Sequence, residues 1–292
     1  MTLLARRPRV GRPRRAAALL VAGLGCAVVL ALTGWSRLAG TEPPTRSSAS
    51  AASVVPRPAA GSFTLIQMNL CLSGLADCYD VAAYPNVVRE AVAEIRAMGP
   101  DAVTVNEACR GDVVRIARRT GYHVRFSLVI YGSDRLPCVR PGGRGLFGDA
   151  VLTQVRIVAS AHRAFAAQAG LEERRWSCLT TRLDQDVCTA HLSTRRTDSG
   201  ATANEAQCAE LAAILARRAA VRTVAFGGDV NRRRSCAPDG FWTRTDRSAD
   251  QDPGVQHVYG SRAMLRAPSA SVLPVAGSDH DMLLVSARPT RP

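Results

Sequence analysis

The sequence predicts a mixed α/β domain, of the α+β type, in which two packed and mostly antiparallel β-sheets are flanked by helices. Residues 62–292 contain many short apolar runs bounded by turn residues, as expected for strands. Only two segments, 85–98 and 201–218, read as helices. A doubly wound parallel sheet would need a helix after almost every strand, so this pattern argues against it. About 230 residues are enough for one large domain with its own core.

The first 36 residues are predicted to be a signal peptide or a single-pass membrane anchor. Six arginines precede residue 16, and an uncharged apolar run follows over 16–35. The run is long for a signal peptide and just long enough to span a bilayer. No sharp small-residue cleavage site ends it, which favours a retained anchor. The positive flank predicts that everything after the run is exported, extracellular or anchored at the cell membrane.

Residues 37–61 are predicted to be a disordered linker. They are rich in Pro, Ser and Ala and have no apolar period, so they cannot bury enough surface to offset chain entropy. The folded domain is therefore expected over 62–292. From Gly61 onward there are 29 Arg against 23 Asp plus Glu, a net charge of +6. This mild excess of positive charge permits an anionic substrate but does not demonstrate one. All 38 basic residues are Arg, and the absence of Lys is better explained by the codon bias of a GC-rich genome than by selection for phosphate binding.

Eight of the nine cysteines lie in the predicted exported domain, where an even number indicates disulfides. Cys71 and Cys78 would close a small loop, and Cys178 and Cys188 would lie across a hairpin that turns near Asp184. No Cys-x2-Cys spacing supports a zinc site. The remaining four can pair in three ways: Cys109, Cys138, Cys208 and Cys236.

The first elements place polar residues at strand ends. A strand over 63–70 carries Asn69, and a helix over 85–98 begins at Pro85 and stops at Gly99. A short buried strand over 102–105 is followed by Glu107. Further strands are predicted over 122–131, 147–153, 155–161, 177–183, 186–192, 222–226, 255–259, 270–273 and 282–286.

Six short motifs occur in a particular order along this pattern. They are Gln67-Met68-Asn69-Leu70, Val105-Asn106-Glu107, Phe147-Gly148-Asp149-Ala150-Val151-Leu152, Thr189-Ala190-His191-Leu192, Gly228-Asp229-Val230-Asn231 and Gly277-Ser278-Asp279-His280. The ordered set resembles the endonuclease/exonuclease/phosphatase superfamily, the deoxyribonuclease I-like fold, over residues 63–287. The resemblance implies a four-layer sandwich that hydrolyses phosphoric esters with Mg²⁺, or Mn²⁺ or Ca²⁺ in its place.

The resemblance also implies roles for individual residues. Glu107 would be the principal metal ligand with Asn69 beside it, and carboxylate oxygens suit Mg²⁺ and Ca²⁺. Asp279 would complete the metal or the histidine environment. The catalytic candidates are His280 as general base, His191 as a phosphate-contacting acid, Asp229 to orient water or metal, and Asn231 to donate to phosphate.

Each of these residues also has an ordinary structural interpretation. Asn69 could be a strand-end cap, Glu107 a surface residue, His191 a satisfied core histidine and Asp229 part of a turn. The five candidates in family order argue against coincidence. The arginines at 232–234 are well placed to hold a polyanion, although a solvated loop in an Arg-rich protein is the simpler interpretation.

One position departs from the family pattern. The family usually has an Asp that orients the C-terminal catalytic histidine, and here that position is Gln256. A neutral amide cannot stabilise an imidazolium as a carboxylate does. Asp250 or Asp252 could substitute, or a shift of one residue would place His257 there. No carboxylate partner of His191 is identifiable either.

Three functions follow from these observations. The first is an exported or surface-anchored, divalent-metal-dependent phosphodiester hydrolase acting on nucleic acid, that is, a nuclease. The alternative is a phosphodiesterase or phosphatase for phospholipid or inositol-phosphate head groups. The third is a catalytically weakened binding domain, because of Gln256. The expected partners are the substrate and, through the N-terminal segment, a membrane; no protein partner is predicted, and a monomer is expected.

Overall fold

The computed structural model describes residues 61–75, 84–263 and 265–290. The predicted export segment at 1–36, nearly all of the predicted linker at 37–61, and Cys78 lie outside the described residues, so these predictions stay predictions. Within the described ranges, no helix has the length and apolarity that a membrane crossing requires.

The described part of the chain contains fifteen strands and three helices. In chain order they are β1 (Phe63–Asn69), α1 (Asn86–Met98), β2 (Ala102–Cys109), α2 (Arg110–Thr120), β3 (His123–Leu128), β4 (Ile130–Tyr131), β5 (Asp134–Arg135), β6 (Phe147–Thr153), β7 (Ile157–Ala164), β8 (Glu172–Glu173), β9 (Arg175–Thr181), β10 (Gln185–Ala190), α3 (Asp198–Ala219), β11 (Thr223–Asp229), β12 (Phe241–Thr245), β13 (Gln256–Ser261), β14 (Leu265–Leu273) and β15 (Met282–Pro289).

Two six-stranded sheets dominate the fold. The first has the order β14-β15-β1-β2-β6-β3 and the second β12-β13-β11-β10-β9-β7. In each sheet one pair of strands is parallel, β1 with β2 and β10 with β11, and the other pairs are antiparallel. A small third sheet has the order β5-β4-β8.

Three hydrophobic clusters show that the layers are helix, sheet, sheet, helix. The first cluster packs α1 and α2 on the outer face of the first sheet, with Ile66, Val103 and Ile116 among its members. The second packs α3 on the outer face of the second sheet. The third, which includes Leu65 and Leu179, lies between the sheets. This arrangement agrees with the predicted mixed α/β sandwich.

Helix α2 and strand β12 were not predicted from the sequence. The segment after Cys109 begins with charged residues, yet Val113, Ile116 and Ala117 form a buried stripe and Gly121 caps the helix at φ 81°. That spacing of apolar residues was the available signal. Strand β12 is too short to show a period, and its pairing with β13 defines it.

Three disulfides are described, and one was predicted as a pair. Cys178 and Cys188 are bonded and lie directly opposite each other in the β9–β10 hairpin. The four cysteines whose pairing the sequence left open form Cys109–Cys138 and Cys208–Cys236. Cys71 is disulfide-bonded, and its predicted partner lies outside the described residues.

Candidate active site

One cleft brings together six of the seven predicted site residues. It has a volume of about 740 Å³ and lies where β1, β10 and β11 end and where the turn before β15 begins. The first sheet contributes Glu107, Asp279 and His280 to its lining, and the second contributes His191, Asp229 and Asn231. The cleft is therefore built by both sheets together.

Asn69, the seventh residue, lies beneath the cleft with 1% of its surface exposed. Its Nδ2 donates to Glu107 Oε1 and to Asp229 Oδ2, both at 3.1 Å, so it links a carboxylate of each sheet. Its Oδ1 accepts the backbone N–H of Cys71 at 3.1 Å. In this orientation Asn69 positions Glu107, and its predicted role as a metal ligand would require the amide to turn.

Glu107 occupies a distorted position inside β2. The pairing of β2 with β6 shifts register between Val105 and Ala108, and Glu107 has a φ of 54°, which is unfavourable for a residue with a side chain. Burial, together with the neighbouring charges of Glu172 and Asp279, raises the pKa of Glu107 to about 7, against the lowering effect of the Asn69 hydrogen bond. A positive charge bound nearby would therefore stabilise the ionised form of this carboxylate.

The chemistry of these donors fits a hard divalent ion. No group of three or more His, Cys, Asp or Glu side chains in the described ranges forms a ready-made metal site. Mg²⁺, however, keeps several waters and takes only one or two protein carboxylates. Glu107 and Asp279 can supply these, since Asp279 is close enough to affect the pKa of Glu107.

His191 and Asp229 are held side by side at the ends of two parallel strands. They form an isolated backbone bridge, and Leu192 N donates to Asp229 O at 3.0 Å. Gly228 permits this close approach, because a Cβ there would lie 2.3 Å from the backbone oxygen of Ala190. The His191 Nε2 atom is 3.8 Å from both Glu107 Oε1 and Asp229 Oδ2. The carboxylate partners that the sequence did not identify are therefore these two residues.

The environments of the two histidines differ. Burial, followed by the charges of Arg174 and His280, holds the pKa of His191 well below its usual value, so its imidazole is neutral. Burial also lowers the pKa of His280, but the carboxylates of Asp229, Asp279, Glu107 and Asp252 outweigh it and raise the pKa above its usual value.

His280 lies between two carboxylates. Its Nε2 is 3.7 Å from Asp229 Oδ2 and 3.9 Å from Asp279 Oδ2. Its Nδ1 is buried and has no hydrogen-bond partner among the described residues. Within the described ranges, therefore, no carboxylate orients the ring through Nδ1.

Asn231 is fixed beside Asp229 in a strained turn. Its φ is 49°, its backbone N–H donates to Asp229 Oδ1 at 2.9 Å, and its Nδ2 donates to Leu192 O at 2.9 Å. The second N–H of this amide is the one that can serve the cleft.

The Gln256 side chain supports the cleft from below through its hydrogen bonds to the backbone and to Gln67, rather than through a bond to His280 Nδ1. Its Nε2 donates to the backbone oxygen of Asp281, the residue after His280, and its Oε1 accepts from Gln67 at 3.3 Å. His257 faces elsewhere, with Nδ1 at 2.7 Å from Tyr259 Oη and Nε2 at 3.1 Å from Gly254 O. Of the carboxylates considered as substitutes, Asp252 lines the cleft and influences His280.

A buried polar network underlies Asp229. Asn106 Oδ1 accepts from Gln67 Nε2 and from the backbone N–H of Asp229, both at 2.8 Å, and Asn106 Nδ2 donates to Asp149 Oδ1 at 2.9 Å. Burial raises the pKa of Asp149 to about 7. Asp149, a member of the third motif, thus supports the site from within the protein.

Arg174 is a cleft residue that the sequence analysis missed. It is 8% exposed, pairs with Glu172 at 3.0 Å, and helps to lower the pKa of His191. The register of the β9–β10 hairpin could have indicated this position. Ala190 pairs with Trp176, so the residues at and just before the start of β9 lie beside His191, which follows β10.

Comparisons with known proteins agree on the fold. The structure resembles an endonuclease/exonuclease/phosphatase from Beutenbergia cavernae at 18% identity, covering 78% of this chain and 72% of that one with a TM-score of 0.57. It resembles the human Nocturnin catalytic domain at 16% identity, covering 79% and 94% with a TM-score of 0.61. It resembles ANGEL2, a 2',3'-cyclic phosphatase, at 12% identity, covering 80% and 99% with a TM-score of 0.57.

Sequence comparisons do not add to this result. No family model and no curated protein matches the chain. The predicted resemblance to the endonuclease/exonuclease/phosphatase superfamily is confirmed at the level of the fold.

Proposed function

Because the chain has the fold of endonuclease/exonuclease/phosphatase proteins, we propose that it is an exported or surface-anchored, divalent-metal-dependent phosphodiester hydrolase acting on nucleic acid. One observation carries the proposal. The buried amide of Asn69 donates hydrogen bonds to Glu107 of one sheet and Asp229 of the other. His191 and His280 each have Nε2 within 4 Å of Asp229 Oδ2.

The arrangement suits attack of water on a phosphorus atom. When bound at Glu107 and Asp279, Mg²⁺ would supply positive charge to the phosphoryl oxygens and offset the carboxylate charge that raises the pKa of His280. His280 in its neutral form accepts the proton of the attacking water, and Asp229, whose Oδ2 is 3.7 Å from His280 Nε2, stabilises the imidazolium that results.

The other side of the cleft binds the phosphate. His191 and the free N–H of Asn231 donate to phosphoryl oxygens, and Arg174 contributes a fixed positive charge near them. An anionic phosphate beside His191 raises the pKa of this histidine against the lowering effect of burial. It therefore favours the protonated form, which can serve as an acid.

Hydrolysis of labelled single-stranded and double-stranded oligonucleotides by the full, oxidised chain tests the proposal. We expect products with Mg²⁺, Mn²⁺ or Ca²⁺ and none with EDTA. Hydrolysis that persists in EDTA would contradict the metal-dependent mechanism. A folded protein that cleaves no phosphate ester under any of these conditions would point to the binding domain instead.

The rim of the cleft favours a second candidate, a lipid head-group phosphodiesterase or phosphatase. Leu75 and Tyr131 line the cleft and are 56% and 44% exposed. Leu171 is 63% exposed and lies near Tyr131, because its backbone oxygen accepts the N–H of Gly132. Exposed apolar side chains at the mouth of a polar cleft suit a membrane surface. Phe241 and Trp242, the aromatic pair noted in the sequence, are buried in β12.

Vesicles of phosphatidylcholine and phosphatidylinositol distinguish the two candidates. Release of phosphate or a phosphorylated head group, at a rate exceeding oligonucleotide cleavage, would favour the lipid substrate. Cleavage of the oligonucleotides alone would favour nucleic acid.

A further inference from the structure

A second depression continues the cleft on the side of the second sheet. It has a volume of about 510 Å³ and is lined by Arg195, Glu205, Asn231, Arg232, Arg233, Arg234 and Val255; we name it the arginine groove. Asn231 belongs to both the groove and the cleft, and Arg196 of the cleft follows Arg195 of the groove. A substrate whose phosphate lies at Asn231 therefore has its next units beside the arginines.

The loop that carries the arginines is held at both ends. On one side, Asn204 Nδ2 donates to the backbone oxygen of buried Val230 at 2.9 Å. On the other, Cys236 is bonded to Cys208 of α3, and its backbone N–H donates to Tyr259 Oη at 3.0 Å. The arginines are thus displayed from a fixed frame.

The charge in the groove is only partly compensated. Glu205 pairs with Arg232 at 2.8 Å and with Arg195 at 3.5 Å. Arg233 and Arg234 are exposed, and no carboxylate of the described ranges forms an ion pair with either. Arg232 is 8% exposed, and its buried Nε has no hydrogen-bond partner within the same ranges. Four arginines face one glutamate, so the groove is suited to an anion.

We infer that the arginine groove binds a second phosphate of the substrate, next to the one in the cleft, and so selects a nucleic-acid strand over a small phosphodiester. This inference rests on the proposed function. A lone diester would occupy the cleft and leave Arg233 and Arg234 unused, whereas a strand carries a phosphate at every nucleotide. Arginine side chains that contact successive phosphates give salt-dependent, sequence-independent binding.

The double variant Arg233→Gln/Arg234→Gln tests the inference in the full chain. Its matched control is Arg266→Gln/Arg288→Gln, which removes the same charge from two exposed arginines that face each other across β14 and β15. Binding of a fluorescent single-stranded oligonucleotide is measured by anisotropy in EDTA, over a series of salt concentrations, so that no turnover is needed.

We expect the groove variant to bind at least about 10-fold more weakly than the wild type at low salt. The slope of log affinity against log salt should fall by about 1 to 2, roughly one for each lost phosphate contact, and the control should match the wild type. In Mg²⁺, the KM for the oligonucleotide should rise while kcat/KM for bis(p-nitrophenyl) phosphate stays unchanged.

Equal binding and equal salt slopes in the groove variant and the control would overturn the inference and leave the arginines as a solvated loop. Tighter binding of an inositol polyphosphate than of the oligonucleotide would overturn it as well. Failure of the wild type to hydrolyse either substrate, with the binding difference intact, would reject the proposed hydrolase and retain the groove as a nucleic-acid site.

Discussion

The layer between the two sheets has two ends of opposite character. Far from the cleft it is apolar, with Leu65, Val151, Val187, Ala225 and Val258 packed in one cluster. Towards the cleft, buried polar side chains replace them: Gln67, Thr104, Asn106, Asp149, Thr189 and Gln256. Since one continuous layer contains both ends, the same strands serve stability at one end and chemistry at the other.

The transition follows the alternation of side chains along each strand. In β1 the inward positions run Phe63, Leu65, Gln67 and Asn69, and in β11 they run Ala225, Gly227 and Asp229. The cost of burying these polar side chains is offset, because they form hydrogen bonds with each other and with the backbone N–H of Asp229. Asn69 and Asp229 are thus the last members of the inward-facing rows of β1 and β11.

The largest expected effect is the loss of activity in Glu107→Gln. We expect kcat to fall about 10³-fold or more, because a metal ion contributes several kcal/mol of charge stabilisation. Stability to denaturant should not decrease, since the substitution removes a buried charge whose pKa is already raised to about 7. Rates on oligonucleotides and urea unfolding measure both, with Glu94→Gln of α1 as the control. A variant that keeps its activity would show that Glu107 belongs to the structure alone.

The opposite outcome is expected for Leu65→Ala at the far end of the layer. Leu65 is 1% exposed, and its truncation should lower the free energy of unfolding by about 2 to 5 kcal/mol. The kcat of the folded protein should stay unchanged. Exposed Leu183→Ala is the matched control and should change stability by less than about 0.5 kcal/mol. A fall in the kcat of folded Leu65→Ala would contradict the claim that the apolar end of the layer serves stability alone.

His257 makes a pH-dependent contribution to stability. Burial lowers its pKa to about 4, against 6.5 in the unfolded chain, so the native state binds fewer protons between these values. Stability should therefore be complete above pH 6.5 and fall by up to about 3 kcal/mol as the pH drops to 4. Urea unfolding of His257→Gln across this range should lack that component. Identical pH profiles for the variant and the wild type would contradict this assignment.

The smallest effect is expected at Gln256. Its amide donates to the backbone oxygen of Asp281 and does not hydrogen-bond to His280 Nδ1, so Gln256→Ala should lower kcat by about 10- to 100-fold through misplacement of His280. The pH dependence of kcat should keep its shape, because no charge is lost. A shifted pH profile would instead show that Gln256 acts on the imidazole directly.

The sequence contained much of this arrangement. The order of the motifs, with Asn69 and Asp229 at strand ends, follows from local pattern, and so does the Cys178–Cys188 pair across its hairpin. Glu107 was found through the resemblance, but its placement was not predictable. It is out of phase with inward-facing Thr104 and Asn106, and only the shift of register in β2 and its positive φ bring it to the cleft.

Other features depend on contacts between distant segments. The hydrogen bonds of Gln256, in β13, join it to β1 and to the loop before β15. No local period reports such contacts. The partners of His191, Glu107 and Asp229, are likewise 84 and 38 residues away in the chain, by the difference of their numbers.

Plasmid nicking tests most directly whether both sheets form one metal-dependent centre. The full, oxidised chain is assayed with Mg²⁺ and with EDTA beside folded His280→Ala. We predict nicking by the wild type in Mg²⁺ only, and none by the variant. Nicking in EDTA, or equal nicking by His280→Ala, would contradict the account.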